Sequence, residues 1–142
     1  MYMSDSDPTT YEMTAERISP KRTRIDTGDA EFVVGKDVNP VEFFVGSTLA
    51  CLNSTGTMVA REMELSIDEL SMSVVGDLDY SLYRGEESDN RAGLQGLTVE
   101  IDVDTDADQA TVDEWLAAVK RRCPVTDNVE HETPLDVTAA SV

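Results

Sequence analysis

Asn39-Pro40-Val41-Glu42-Phe43-Phe44-Val45-Gly46-Ser47-Thr48-Leu49-Ala50-Cys51-Leu52 is the stretch that decides the fold. Asn39 can cap a helix, and Pro40 suits the first helical position because its missing N–H has no intrahelical partner there. Val41, Phe44, Val45, Thr48, Leu52, Thr55, Val59 and Met63 then recur at helical spacing, which predicts one helix from Pro40 to about Met63. Gly46, Ser47, Ala50, Ser54 and Gly56 lie between them, and few polar residues appear before Arg61 and Glu62. A helix that is apolar or small nearly all round is expected to be buried. Each glycine costs about 1 kcal/mol of helix propensity relative to alanine, so close packing or a site is expected to keep them.

On the N-terminal side, Tyr11 to Ile18 alternates as a half-buried strand does, and Pro20 ends it. Arg22–Asp26 and Glu31–Val34 read as second and third strands around the turn Thr27-Gly28-Asp29. On the C-terminal side, Glu69–Tyr80 is strand-like and Glu86–Gly93 is a polar loop. Leu97, Val99, Ile101 and Val103 share one face of a further strand whose other face carries acids. Ala107–Arg122 reads as a helix with Val112, Trp115, Leu116 and Val119 facing inward. Lys120, Arg121 and Arg122 fall in its last turn, where cations complement the helix dipole. Leu135–Ala139 is expected to be a final strand. The order strands, helix, strands, helix, strand is α+β rather than alternating α/β. Residues 1–10 are expected to be a flexible tail and residues 11–142 a single domain, in keeping with a 142-residue chain.

Composition narrows the function classes. Acidic residues number 29 against 11 basic, for a net charge of -18. Nucleic acid is a poor expected partner, because phosphate binding needs clustered Lys and Arg. An anionic membrane surface is disfavoured for the same reason, and no unbroken apolar run is long enough to read as a membrane span. The polar start of the chain does not resemble a secretory signal, so a cytoplasmic location is expected. The acids are spread along the chain rather than gathered in a tail. Their mutual repulsion is relieved when molar salt shortens the Debye length to about 3 Å. The expectation is a solvated surface adapted to a salty, halophilic cytoplasm.

The chain has two cysteines and one histidine. Cys51 and Cys123 are too far apart for a Cys-x-x-Cys motif or a zinc ribbon. One exposed-looking His131 cannot complete a Cys/His metal site, so no metal is expected. Cys51 can be a small buried apolar residue, or a nucleophile if a cation lowers its pKa. Arg17, Arg22 and Arg24 are the candidate cations. Cys123, in Arg122-Cys123-Pro124-Val125, can be an idle linker residue or a thiolate favoured by nearby cations and a helix start at Pro124.

These residues resemble a known family. Asn39-Pro40-Val41-Glu42-Phe43-Phe44, the small-residue run to Cys51, Arg91-Ala92-Gly93-Leu94-Gln95 and Cys123-Pro124-Val125 are similar to the OsmC/Ohr family, named for osmotically inducible protein C and organic hydroperoxide resistance protein. The Cys-Pro-Val ending leans toward its OsmC-like branch. The resemblance implies antiparallel sheets around a central buried helix, in an intertwined homodimer. It implies that Cys51 attacks an organic hydroperoxide and becomes a sulfenic acid, and that Cys123 resolves it to a disulfide. A thiol reductant, a dihydrolipoyl protein in some members, then resets the enzyme without any cofactor. Phe43, Phe44, Leu49, Leu52 and Met58 would form an apolar pocket wall. Two positions differ from the peroxidase pattern. Val41 stands where a Glu usually follows the proline, with Glu42 one residue later and about 100° around the helix. The Gly-Gly-Arg context of the activating Arg is absent. The alternatives are a dithiol/disulfide redox protein and a non-enzymatic binder of small apolar ligands.

Overall fold

A computed structural model describes residues 7–141. The first six residues of the expected tail lie outside the described residues, and residues 7–10 are exposed without helix or strand. The elements run β1 (Thr14–Ser19), β2 (Arg22–Asp26), β3 (Glu31–Val34), α1 (Pro40–Glu62), β4 (Glu69–Leu78), β5 (Leu94–Asp104), α2 (Gln109–Arg122) and α3 (Pro124–Glu130). This is the α+β class expected from the order of patterns. The chain divides into two compact units, one up to Gly46 and one from Ser47 onward.

In the first unit, β1, β2 and β3 form an antiparallel sheet in that order. β1 starts at Thr14 rather than Tyr11, and Tyr11 and Met13 stay exposed. Gly28, at φ 96°, and the carboxylate of Asp26, which accepts from the Gly28 N–H at 2.8 Å, shape the turn into β3. α1 opens as the sequence predicts. Asn39 Oδ1 accepts from the Glu42 N–H at 2.8 Å, and Glu42 Oε1 accepts from the Asn39 N–H at 3.0 Å. This reciprocal capping box satisfies two donors that the helix start would otherwise leave without partners.

The second unit carries the core. Leu52, Val59, Ala60, Trp115, Val119 and Cys123 are its buried apolar residues. β4 and β5 pair antiparallel from Glu69↔Asp104 to Asp77↔Gly96, and after a register shift Leu78 pairs with Leu94. Leu70, Met72, Val99, Ile101 and Val103 pack against the core from one sheet face, while Glu69, Glu100, Asp102 and Asp104 face outward. β4 stops at Leu78, before Tyr80. Asp79 takes over there, accepting from the Ser81 N–H at 2.9 Å and the Ser81, Ser88 and Asn90 side chains at 2.6, 2.8 and 3.0 Å. These donors hold its carboxyl well below the usual carboxylate range, Ser81 contributing most. α2 begins at Gln109 rather than Ala107, because Asp108 is its N-cap and accepts from the Thr111 N–H at 2.9 Å.

One expectation is corrected. Leu135–Ala139 is not a strand; the segment has no regular structure, and Leu135 and Val137 are 86% and 80% exposed. An alternating pattern makes a strand only against a sheet edge, and Pro134 removes a donor at its start. Within one chain, α1 buries a single stripe. Thr48, Leu52, Thr55, Gly56, Val59 and Ala60 form one buried stripe, while Phe43, Phe44 and Met58 remain more than 40% exposed. By length and composition α1 could cross a membrane. Its stripe packed in a core with Trp115 and Val119 is that of a core helix.

Candidate functional site

Cys51 lies in mid-α1, half-buried, and Cys123 is 1% exposed at the junction of α2 and α3. Both thiols are free. The fold brings them into one cluster: Cys51 packs against the buried core that contains Cys123, and its side chain is among the groups that lower the Cys123 pKa. Local sequence explains each position. Cys51 sits one residue before the buried Leu52 and four before the buried Thr55, whose Oγ1 is 3.9 Å from its sulfur. Cys123 ends α2, its N–H bonding to the Val119 carbonyl, and Pro124 starts α3 at once.

The electrostatics of Cys123 balance two opposed effects. Burial pushes the thiol up. The side chain and N–H of Thr126, the Cys51 side chain and the N–H of Val125 pull it down, and the net shift is downward. The sulfur makes no formal capping bond to α3, so these groups act as dipoles converging on it.

A cavity of about 360 Å³ borders the core, lined by neither thiol but by residues one helical turn from each. Leu52, Leu97, Val99, Ile101 and Leu116 give it apolar walls, and Lys120 and Glu130 add one charge of each sign. Thr48 and Thr126, neighbours of Cys51 and Cys123 along α1 and α3, also line it.

The other residues expected at the site fall as follows. Leu52 lines the cavity. Phe43 and Phe44 belong to the first unit, where Phe43 stacks on Phe32 with centroids 5.3 Å apart. Leu49 is half-buried and Met58 exposed. Arg17, Arg22 and Arg24 stand exposed on β1 and β2. Arg24 lies between Glu16 and Glu31, at 3.9 and 4.0 Å. Glu42 is engaged in the capping box. His131 is exposed, 3.1 Å from Asp127. Among the described residues, no group of three His, Cys, Asp or Glu side chains could hold a metal ion.

Sequence reasoning missed three contributors. Thr55 was in view, one turn beyond Cys51. Thr126 was signalled by its place in the first turn of a helix that begins after Cys123. The third is an ion pair, Arg122 to Glu62, in which Nη1 and Nη2 of the guanidinium donate to the two carboxylate oxygens at 2.8 Å. Nothing local marks it.

A family model described as OsmC-like protein matches residues 33–138, which include both cysteines and every element from β4 to α3. The chain belongs to the OsmC-like protein family. Its fold is that of solved family structures. An OsmC-like protein from Mycoplasma pneumoniae superposes with a TM-score of 0.75 at 17% identity, over 87% of this chain and 89% of that one. A Legionella pneumophila structure described as an organic hydroperoxide resistance protein OsmC gives 0.63 at 18% identity, over 85% and 89%. The organic hydroperoxide resistance protein OhrB of Bacillus subtilis gives 0.56 at 21% identity, over 87% and 93%. At such identities the likeness is one of fold. No curated protein matches the chain by sequence.

Proposed function

We propose that this protein reduces organic hydroperoxides through its two cysteines. The observation that carries the reading is the packing of Cys51 against the buried cluster that contains Cys123, with both thiols free. Cys51, the more accessible of the two, attacks the distal peroxide oxygen as a thiolate. The O–O bond breaks, the alcohol leaves with a proton, and Cys51 becomes a sulfenic acid. Cys123 then attacks that sulfur, water leaves, and a disulfide closes. An external dithiol, a dihydrolipoyl protein for example, reduces it by exchange. The lowered pKa of Cys123 suits the resolving step, because a thiolate is the attacking species. The apolar cavity favours hydrophobic peroxides over hydrogen peroxide, and the solved structures named for organic hydroperoxide resistance support the same class. On this reading the protein works as a cytoplasmic homodimer.

One observation favours a second reading. Val41 replaces the usual Glu, and Glu42 is engaged in capping α1. A thiolate lacking that support suits a dithiol/disulfide redox protein with little peroxide preference. Mixing reduced protein with cumene hydroperoxide or hydrogen peroxide separates the two. Fast loss of both thiols, with a mass two hydrogens lower, is expected with the organic peroxide alone. Cys51→Ser abolishes consumption, and Cys123→Ser permits a single turnover. Equal, slow oxidation by both peroxides favours the second reading.

A further inference from the structure

The Arg122–Glu62 ion pair ties together the two helices that carry the thiols. Arg122 is the last residue of α2 and the chain neighbour of Cys123; Glu62 is the last residue of α1, the helix of Cys51. Their contact is a two-pronged fork at 2.8 Å, the geometry that fixes orientation as well as distance. The hydrogen bond with Arg122 holds the Glu62 carboxyl below its usual range. Glu62 lies about three full turns beyond Cys51, so the two fall on nearly the same stripe of α1. Between them Trp115 Nε1 of α2 donates to the Gly56 carbonyl at 2.8 Å. α2 is thus fastened to α1 by one buried contact mid-helix and by the fork at the end that leads into Cys123.

We propose that Arg122 and Glu62 are positioning residues for the resolving thiol. The fork fixes the last turn of α2 on α1 and so sets how readily the Cys123 sulfur meets Cys51. The inference rests on reading the two cysteines as a redox pair, but not on the identity of the oxidant. An ion pair at the surface, even a forked one, contributes modestly to global stability. Orientation at a reacting centre is different, because a misplacement of about 1 Å can cost on the order of 100-fold.

The test is the equilibrium between the full-length protein and a glutathione redox buffer, read by intact mass. Two protein thiols and one oxidised glutathione give one protein disulfide and two reduced glutathiones. The equilibrium constant is the effective concentration of one thiol at the other. Glu62→Gln and Arg122→Lys are each expected to lower it about tenfold. The exchanged pair, Glu62→Arg with Arg122→Glu, is expected to recover most of the loss. Thermal unfolding of the reduced variants should stay within a few degrees of wild type. A merely stabilising pair would lower the melting temperature and leave the equilibrium constant alone. An unchanged constant in both single variants overturns the proposal, and Arg122→Lys keeps it testable if Glu62→Gln folds poorly. Wild-type protein that closes its disulfide with glutathione but ignores cumene hydroperoxide would instead count against the peroxidase reading.

Discussion

The indole N–H of Trp115 donates to the carbonyl oxygen of Gly56 inside the core, and a methyl group at Gly56 would stand 2.8 Å from the same ring. The glycine in mid-helix, unfavourable by propensity, is explained by this close approach of α2 to α1. Gly56→Ala should therefore destabilise despite alanine's better helix propensity. Overpacking of this kind costs roughly 1–3 kcal/mol, against a propensity gain of about 1 kcal/mol. Urea unfolding followed by the fluorescence of the sole tryptophan would show a lower midpoint. An unchanged midpoint would mean that the indole moves aside freely.

Glu64 ends α1 in a conformation that suits glycine. Its φ is 55°, the Leu65 N–H bonds to the Ala60 carbonyl at 2.8 Å, and the Glu64 N–H bonds to the Arg61 carbonyl at 3.2 Å. This is a Schellman motif with a glutamate where the left-handed residue is usually glycine. A side chain there costs about 1–2 kcal/mol, partly offset because glycine gains freedom in the unfolded chain. Glu64→Gly should raise stability by roughly 0.5–1 kcal/mol. Glu64→Ala keeps the strain and should not.

How far the sequence foretold this molecule follows from the range of each determinant. The Asn39-Pro40 helix start, the alternation along β5 and the break at Cys123-Pro124 rest on neighbours a few residues apart, and all are found. Leu135–Ala139 failed because a strand needs an edge that its own residues cannot supply. That α1 is a core helix was legible in its spacing, but which stripe packs against Trp115 and Val119 was not, because its apolar residues lie on every side. Convergence of Cys51 and Cys123 was implied by family resemblance, not by spacing. Thr126 and Thr55 were legible at helical spacing once the thiols were placed. The Arg122–Glu62 fork was not, because Arg122 already had a local explanation in the helix dipole. The rigid pinning of the 79–90 loop by Asp79 was hidden in the same way, since its Ser and Asn partners read only as polar loop.

Thr126 is the largest of the influences that lower the Cys123 pKa, against the larger opposing effect of burial. Thr126→Val removes the hydroxyl at nearly constant shape and should move that pKa upward. The consequence for stability has a definite sign. A folded pKa below the ordinary 9.0 means that the folded state sheds the proton first, so stability gains as pH rises through the folded value toward 9.0. The gain is complete above 9.0 and lost as pH falls through the folded pKa. Urea midpoints across this range should climb in wild type and climb less in Thr126→Val. The thiolate's ultraviolet absorbance should appear at higher pH in the variant. Cys51 is among the groups that lower the Cys123 pKa, so Cys51→Ser is the control that isolates the effect of Thr126.

The net charge of -18 makes salt the strongest external variable. On the β4–β5 sheet, Glu69 and Asp104 stand directly opposite each other with no cation between them in the register, and Asp102 and Glu100 continue the acidic face. Like charges opposed across strands destabilise the pairing. In dilute buffer they interact over tens of ångströms, whereas at about 1 M salt the Debye length is about 3 Å and neighbours barely sense one another. Unfolding midpoints should therefore rise steeply from millimolar to molar sodium chloride. Glu69→Lys places a cation across from Asp104, so it should raise the low-salt midpoint and flatten the slope, leaving the molar-salt value nearly unchanged. An uncharged osmolyte at matched osmolality should leave the gap between wild type and Glu69→Lys intact, because it excludes itself from surface without screening charge. A wild-type midpoint indifferent to salt would show that the acids are too well solvated to repel, and the salt-adapted reading of the surface would fall with it.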